Sequence, residues 1–197
     1  MTTLKTHVNI INMSTLLIES PKYGKFEVLY DAEDEDKISK YAWFIKYVKI
    51  SGKCYVQASI PHPSGDWYYY PSGQRQRRQR RRTILPLHQL IMETPKGMQT
   101  DHINGNPLDN RKENLRICTN AENQRNRGPQ KNNTSGFKGV HWNTRRNMWQ
   151  SYIAHNKKQT ALGYFKDKEK AARAYDRKAI VLHGEFAYTN FPIEDYQ

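Results

Sequence analysis

An α+β fold class follows from three features of the 197-residue sequence. Short runs of aromatic and β-branched residues broken by turn residues fill positions 24–60. A strand, loop, strand, helix pattern occupies 99–126, and three strand-like runs precede a helical repeat between 137 and 183. The predicted architecture is an N-terminal small β-sheet, a central ββα unit, and a C-terminal three-stranded antiparallel sheet packed on one helix. The corresponding segments are 1–83, 84–127, a linker at 128–136, and 137–192.

In the first segment, Lys25–Tyr30, Tyr41–Lys49 and Cys54–Ile60 have strand composition, with Ser51-Gly52 as a turn. Between the first two, Asp31 to Asp36 holds five acidic residues in six. This stretch reads as a solvated helix start running through Ile38 and Tyr41, because carboxylates suit helix N-termini and nothing fixes them as metal ligands. After Trp67-Tyr68-Tyr69-Tyr70, the run Gln74–Arg82 carries six arginines in nine residues. Self-repulsion makes this a mobile loop; Arg77, Arg78, Arg80 and Arg81 are candidates to clamp a phosphate backbone, and a purely solvated insertion is the alternative. Ile84–Met92 is apolar and helix-like after Pro86, with His88 expected as a packing residue.

Gln99–Ile103 and Leu115–Cys118 suit two strands joined by a loop of Gly, Asn, Pro and Asp, and Thr119 suits the N-cap of a helix carrying Asn123. Residues 128–136 contain no apolar side chain and read as a linker. Beyond it, strands are expected near 137–142, 149–155 and 159–165. A helix follows from Asp167 to His183, with Ala171, Ala174, Tyr175, Ala179 and Leu182 at helical spacing and Gly184 at its end.

Charge points to the partner. Net charge is +13, and residues 1–73 balance eight basic against eight acidic side chains, so 74–197 hold 24 basic and 11 acidic. Basic charge concentrated in one region neutralises a polyanion and releases its counterions, which makes double-stranded DNA the expected partner. A membrane surface is excluded as the partner, since the sequence has neither a long apolar stretch nor a basic helix with a clean apolar face. Without a signal-peptide pattern at the N-terminus, an intracellular location is expected. Cys54 and Cys118 form no zinc spacing and are expected as reduced structural thiols.

Phosphodiester hydrolysis needs a base to activate water and a cation to stabilise charge on the phosphorane. The ββα pattern supplies both types: His102 as a neutral imidazole, and Asp101 and Asn123 as hard oxygen ligands suited to Mg²⁺ or Mn²⁺. Adjacent strand residues point to opposite faces, so Asp101 and His102 serve one phosphate only if the strand is distorted or the substrate lies between them. Asp101-His102, then Asn114 twelve residues after the histidine, then Asn123 nine further on, within DHINGN and LDNRKENLR, resembles the HNH endonucleases over 84–127. It matches the variant whose last histidine is asparagine. The resemblance implies Asp101 and Asn123 as metal ligands, His102 as general base, and Asn114 as the residue that braces the loop and orients the histidine. Arg111, Arg116, Arg125, Asn126 and Arg127 flank this set as candidate DNA contacts.

Ser135–Pro192 resembles the AP2/ERF DNA-binding domain. The matching residues are Gly136-Phe137-Lys138-Gly139-Val140, Trp149, Leu162-Gly163-Tyr164-Phe165, Lys170–Asp176, Leu182-His183-Gly184 and Asn190-Phe191-Pro192. Most of these build the fold. Lys138, Arg145, Arg146, Lys157 and Lys158 are candidates to hold phosphates, and His141, Asn143, Tyr152 and Gln159 to touch bases or sugars. Base preference does not transfer, because the exposed strand positions differ from the plant pattern. Together the two resemblances imply a homing-type endonuclease, with one active site per chain giving a nick. A non-catalytic regulator with a degenerate nuclease unit and a nuclease acting on RNA stay open as alternatives.

Overall fold

The computed structural model describes residues 13–64, 67–69, 78–155 and 158–196. The chain divides into two compact units, Met1–Ile117 and Cys118–Gln197. Both combine small antiparallel sheets with few helices.

The first unit opens with a hairpin, β1 (Met13–Ser20) and β2 (Gly24–Asp31), in which Leu16 faces Val28 and Ile18 faces Phe26. Val28 and Tyr30 alternate inward on β2, as a half-buried strand requires. A single 3-10 turn at Ala32–Asp34 leads into α1 (Glu35–Ile38). The helix stops at Ile38, short of the expected Tyr41, where Trp43 Nε1 donates to the Ile38 carbonyl at 2.9 Å. The acidic run is not merely solvated: Asp34 is 1% exposed.

A three-stranded sheet follows in the order β3 (Trp43–Val48), β4 (Lys53–Pro61), β7 (Arg82–Pro86). Between β4 and β7, β5 (Trp67–Tyr69) pairs with β6 (Arg78–Arg80). The arginine run is therefore not a loop throughout. Arg78–Arg80 pairs with β5 in a hairpin, and Arg82 opens a strand paired with β4, where its Nε donates to Ser59 Oγ at 2.8 Å. α2 (Leu87–Ile91) starts directly after Pro86, whose fixed φ suits a helix entry. Leu87 and Ile91 drive into a core with Val28, Val56, Ile45 and Leu115. Each such burial is worth about 1.5–3 kcal/mol. β8 (Gln99–His102) and β9 (Leu115–Cys118) form a two-stranded sheet on this core.

In the second unit, α3 (Asn120–Arg125) is closed by a capping box: Glu122 N donates to Thr119 Oγ1 at 3.3 Å and Thr119 N to Glu122 Oε2 at 2.8 Å. β10 (Val140–Asn143), β11 (Met148–His155) and β12 (Lys158–Phe165) form a sheet in that order, with α4 (Lys168–His183) packed behind it. Asp167 caps α4 through Glu169 N and Lys170 N. Alanines 171, 172 and 179 are fully buried, so helix and sheet approach closely. At the tightest point Gly139 has φ +75°, and a Cβ there would lie 2.0 Å from the Tyr175 ring. From Asn133 onward the expected linker is folded: Ser135 is buried and donates to the Val140 carbonyl at 2.8 Å, while Gly136 N donates to Asn133 Oδ1. Asp176, without exposure, gathers Asn190, Phe191 and Tyr196 by five hydrogen bonds and pins the C-terminal segment. Among the described residues no helix is long and apolar enough to cross a membrane.

Candidate active site

Thr100, Asp101 and His102 are consecutive on β8 and all buried, so both faces of this short strand are covered. Pleating gives adjacent side chains different partners. Asp101 Oδ2 accepts from Arg116 Nε at 3.2 Å and Nη2 at 2.8 Å, the arginine arriving from β9. His102 places Nε2 3.3 Å from Asn110 Oδ1 and packs edge-on against His88 of α2, ring centroids 5.0 Å apart. Burial pushes the His102 pKa down, with the Asn110 hydrogen bond and the Asp101 charge opposing it. His88 is pushed down to about 3, by burial first and His102 second. Both rings are neutral at physiological pH, the state in which an imidazole accepts a proton.

The loop from Ile103 to Asn114 is held at both ends by one side chain. Asn114 Oδ1 accepts from Asn104 N at 2.9 Å, its Nδ2 donates to the Asp109 carbonyl at 2.8 Å, and its backbone carbonyl accepts from Ile103 N at 2.9 Å. Within the loop, Asn104 Nδ2 donates to Asp109 Oδ2 at 3.0 Å, and Gly105 turns the chain at φ +70° by donating to the His102 carbonyl. Lys53 Nζ reaches the Gly105 carbonyl at 2.6 Å. The edge of β2 docks the far side: Leu29 N donates to the Leu108 carbonyl at 2.8 Å, and Asn110 N to the Leu29 carbonyl at 2.7 Å. The acidic run completes the frame. Asp31 Oδ2 accepts from Lys112 N at 2.7 Å, while Lys112 Nζ meets Asp34 at 3.2 Å and also Glu33.

Asp101, His102 and Asn114 thus come together in the first unit, and Asn123 lies on α3, in the second. Arg111 and Arg116 are each committed to an internal carboxylate. Arg111 forks onto Asp109 with two 2.8 Å bonds, which hold Asp109 below the usual carboxylate range, and it also meets Glu113. Two residues at the histidine escaped sequence reasoning, Asn110 and the immediate contact of His88. Asn110 looked like one more turn residue, and nothing in its spacing singles it out.

Of the second-unit candidates, Lys138 is turned inward. Its Nζ donates to the Arg125 and Arg127 carbonyls, both at 2.5 Å, capping the C-terminal end of α3, and burial pushes its pKa down to about 8. Arg127 also donates to Gln124 Oε1 at 2.9 Å, and Asn126 is the C-cap of α3. Strand register puts His141, Asn143 and Tyr152 on the sheet face away from α4, with Gln150 and Tyr164 beside them; Gln159 pairs with Ala154 further along. The His141 and Tyr152 rings meet edge-on at 5.1 Å, and the exposed Arg146 guanidinium lies 4.5 Å over Tyr164, next to exposed Arg145. Lys158 begins β12 in an exposed position. Arg81 sits between β6 and β7 and accepts from His62 N through its carbonyl. Arg78 and Arg80 lie on β6; Arg77 and Lys157 fall outside the described residues.

Among the described residues no three His, Cys, Asp or Glu side chains cluster as a closed metal cage. The oxygen donor at hand is the Asp101 carboxylate, which Arg116 engages here; a carboxylate of this kind suits a hard divalent ion such as Mg²⁺ and not structural zinc.

Residues 93–125 match the family model described as HNH endonuclease. The chain is similar to Protein 3.8 of Escherichia phage T7, 41% identical over 93 residues that cover 47% of this chain and 76% of that protein. It is also similar to APETALA2-like protein 2 of Oryza sativa subsp. indica, 42% identical over 71 residues, 36% of this chain and 16% of that protein. A third similarity is to AP2-like ethylene-responsive transcription factor TOE2 of Arabidopsis thaliana, 42% identical over 71 residues, which cover 36% of this chain and 14% of the plant protein.

Proposed function

The chain belongs to the family of Protein 3.8 of Escherichia phage T7, and on that premise we propose that it is an HNH endonuclease of the His-Asn-Asn variant that nicks double-stranded DNA. The observation that carries this reading is a neutral, buried His102 next to Asp101, at the mouth of a loop tied shut by Asn114, inside the HNH match.

His102 takes the proton of the attacking water, and Asn114 keeps the loop after it in register. Asp101 and Asn123, by the family resemblance, hold Mg²⁺ or Mn²⁺. The ion, when bound, stabilises negative charge on the phosphorane and the leaving oxygen. Arg116 lies against the Asp101 carboxylate and fixes its direction. The second unit supplies site affinity through its open sheet face, with Tyr152, His141, Asn143 and Gln159 toward the bases and Arg145, Arg146 and Lys158 toward phosphates. Arg125, Asn126 and Arg127 follow the α3 helix as further backbone contacts, with Arg78, Arg80 and Arg81 as the clamp of the first unit. A homing-type role belongs to the same reading, since a nuclease unit and an AP2-like DNA-binding module would then stand in one chain.

Supercoiled plasmid incubated with purified full-length protein tests the proposal. Nicking that needs Mg²⁺, stops with EDTA and disappears in His102→Ala is expected. A second reading, a DNA-binding regulator without catalysis, draws on the Asp101–Arg116 pair, which engages the carboxylate a metal would need. Tight DNA binding with no cleavage by the unaltered chain would establish it instead. Structured RNA in place of plasmid distinguishes a ribonuclease.

A further inference from the structure

We infer that Gln150 is a base-reading residue of the second unit, and that Asn143 locks its carboxamide so that the amino group is the end offered to DNA, selecting guanine or thymine. This assignment rests on the DNA-binding reading above for its ligand, and on hydrogen-bond logic alone for the direction of the amide.

β11 is the central strand of its sheet, and Gln150 pairs with His141 of β10 on one side and Tyr164 of β12 on the other. Its neighbours Trp149 and Ser151 turn toward the core beneath the sheet, so Gln150 lies half-buried in the middle of the opposite face. Asn143, at the end of β10, shares that face. Its Oδ1 accepts from Arg146 N at 3.0 Å. A backbone N–H only donates, so the oxygen end of the Asn143 amide must face Arg146 and the amino end must face away. That amino group donates to Gln150 Oε1 at 3.0 Å. An amino group offers no lone pair, so Gln150 must turn its oxygen to Asn143. Nε2 is then the end left for a ligand, and among the described residues it has no acceptor. Asn143 spends both ends of its amide inside the protein and is a positioning residue, not a reader.

The polarity of Nε2 decides which base fits. On the major-groove edge guanine shows two acceptors, N7 and O6, and thymine shows O4. Cytosine shows the N4 amino donor, and adenine sets an N6 donor beside its N7 acceptor. An unrestrained glutamine meets adenine with oxygen and amino group together. Gln150 has its oxygen drawn toward Asn143, which removes that pairing and leaves a donor matched to guanine or thymine. Arg146 adds to the bias: its guanidinium, which can only donate, lies 4.5 Å over the ring of Tyr164, the cross-strand partner of Gln150.

Selection of randomised duplex DNA by purified full-length protein in EDTA, with sequencing of the bound pool, reads base preference position by position. At one position guanine or thymine is expected over cytosine by roughly tenfold. Asn143→Asp keeps the acceptor for Arg146 N and sets a second acceptor against Gln150. The Gln150 amide must then turn to donate to it, Oε1 becomes the free end, and the same position should change to cytosine or adenine although Gln150 itself is untouched. Gln150→Glu should change that position in the same direction, which also provides the readout if the aspartate variant does not fold. Either added carboxylate repels phosphate, but that loss is independent of sequence and appears in affinity, not in the selected bases. Both variants keeping the unaltered profile overturns the inference, as does an unaltered chain that binds DNA without preference at any position. An unaltered chain that binds no DNA removes the DNA-binding reading, and the inference with it.

Discussion

Arg116→Met offers the sharpest test of how Asp101 is held. The two side chains are 9% and 10% exposed and joined by bonds of 2.8 and 3.2 Å. Methionine fills most of the arginine's stem volume and cannot donate, so the carboxylate stays in a poorly hydrated position with its main cation gone. Breaking a buried pair by removing one partner costs about 3–5 kcal/mol. For a unit of this size that is a fall on the order of 10 °C or more in melting temperature, read by calorimetry of the full chain in EDTA. Asp101→Asn combined with Arg116→Met should recover much of the loss, because no uncompensated charge remains. If Asp101 takes a divalent ion, Mg²⁺ at a hundred times its Kd restores about 2.7 kcal/mol to the single variant, and calcium-free, magnesium-free buffer restores none. An Arg116→Met protein within about 0.5 kcal/mol of the unaltered chain in EDTA would refute the argument, since that is the range of an ordinary surface substitution.

Other outcomes follow from individual contacts. His88 is neutral when folded down to a pH of about 3, while an unfolded histidine protonates near 6.5. Stability from this group is complete above pH 6.5 and falls with pH through that window, by up to about 1.4 kcal/mol per unit, and His88→Phe should flatten this part of the urea-denaturation profile. Gly139→Ala forces a methyl into the Tyr175 ring at a positive φ and should cost about 2–4 kcal/mol, measured by thermal denaturation, and the penalty of Tyr175→Ala should be smaller in the Gly139→Ala background than in the unaltered chain. Tyr152→Ala should weaken binding to a preferred DNA site roughly tenfold in a gel-shift titration while leaving nicking of saturating plasmid unchanged.

Most elements were visible in local pattern. β3 and β4 have aromatic and β-branched composition on either side of the Ser51-Gly52 turn, Thr119 and Glu122 cap α3 within four residues, and α4 repeats its alanines at helical spacing. What escaped was decided by distant partners. β1 carries Leu16, Leu17 and Ile18 in succession, which hides the period of two even though Leu17 is 72% exposed and its neighbours point inward. β7 begins in arginines and is a strand only because β4 lies beside it. At the site, Asp101, His102 and Asn114 were legible by spacing and the roles of Asn110 and Lys112 were not. One is fixed by the edge of β2, the other by carboxylates some eighty positions away in sequence. Lys138 shows the opposite error, a basic residue read as a surface contact that the fold turns inward.

That inward lysine bears on how such proteins are assembled from parts. Lys138 belongs to the AP2-like segment, yet it terminates α3, the helix that closes the HNH match. A gene crossover at residue 128, where composition suggests a seam, would hand the recipient a helix stripped of its terminal cation. A crossover just ahead of Thr119 would carry helix, cap and sheet together. Chimaeras joined at 128 that lack a lysine at position 138 should lose about 0.3–1 kcal/mol of stability, up to about 2 for a partly buried contact, and regain it when the cation is restored.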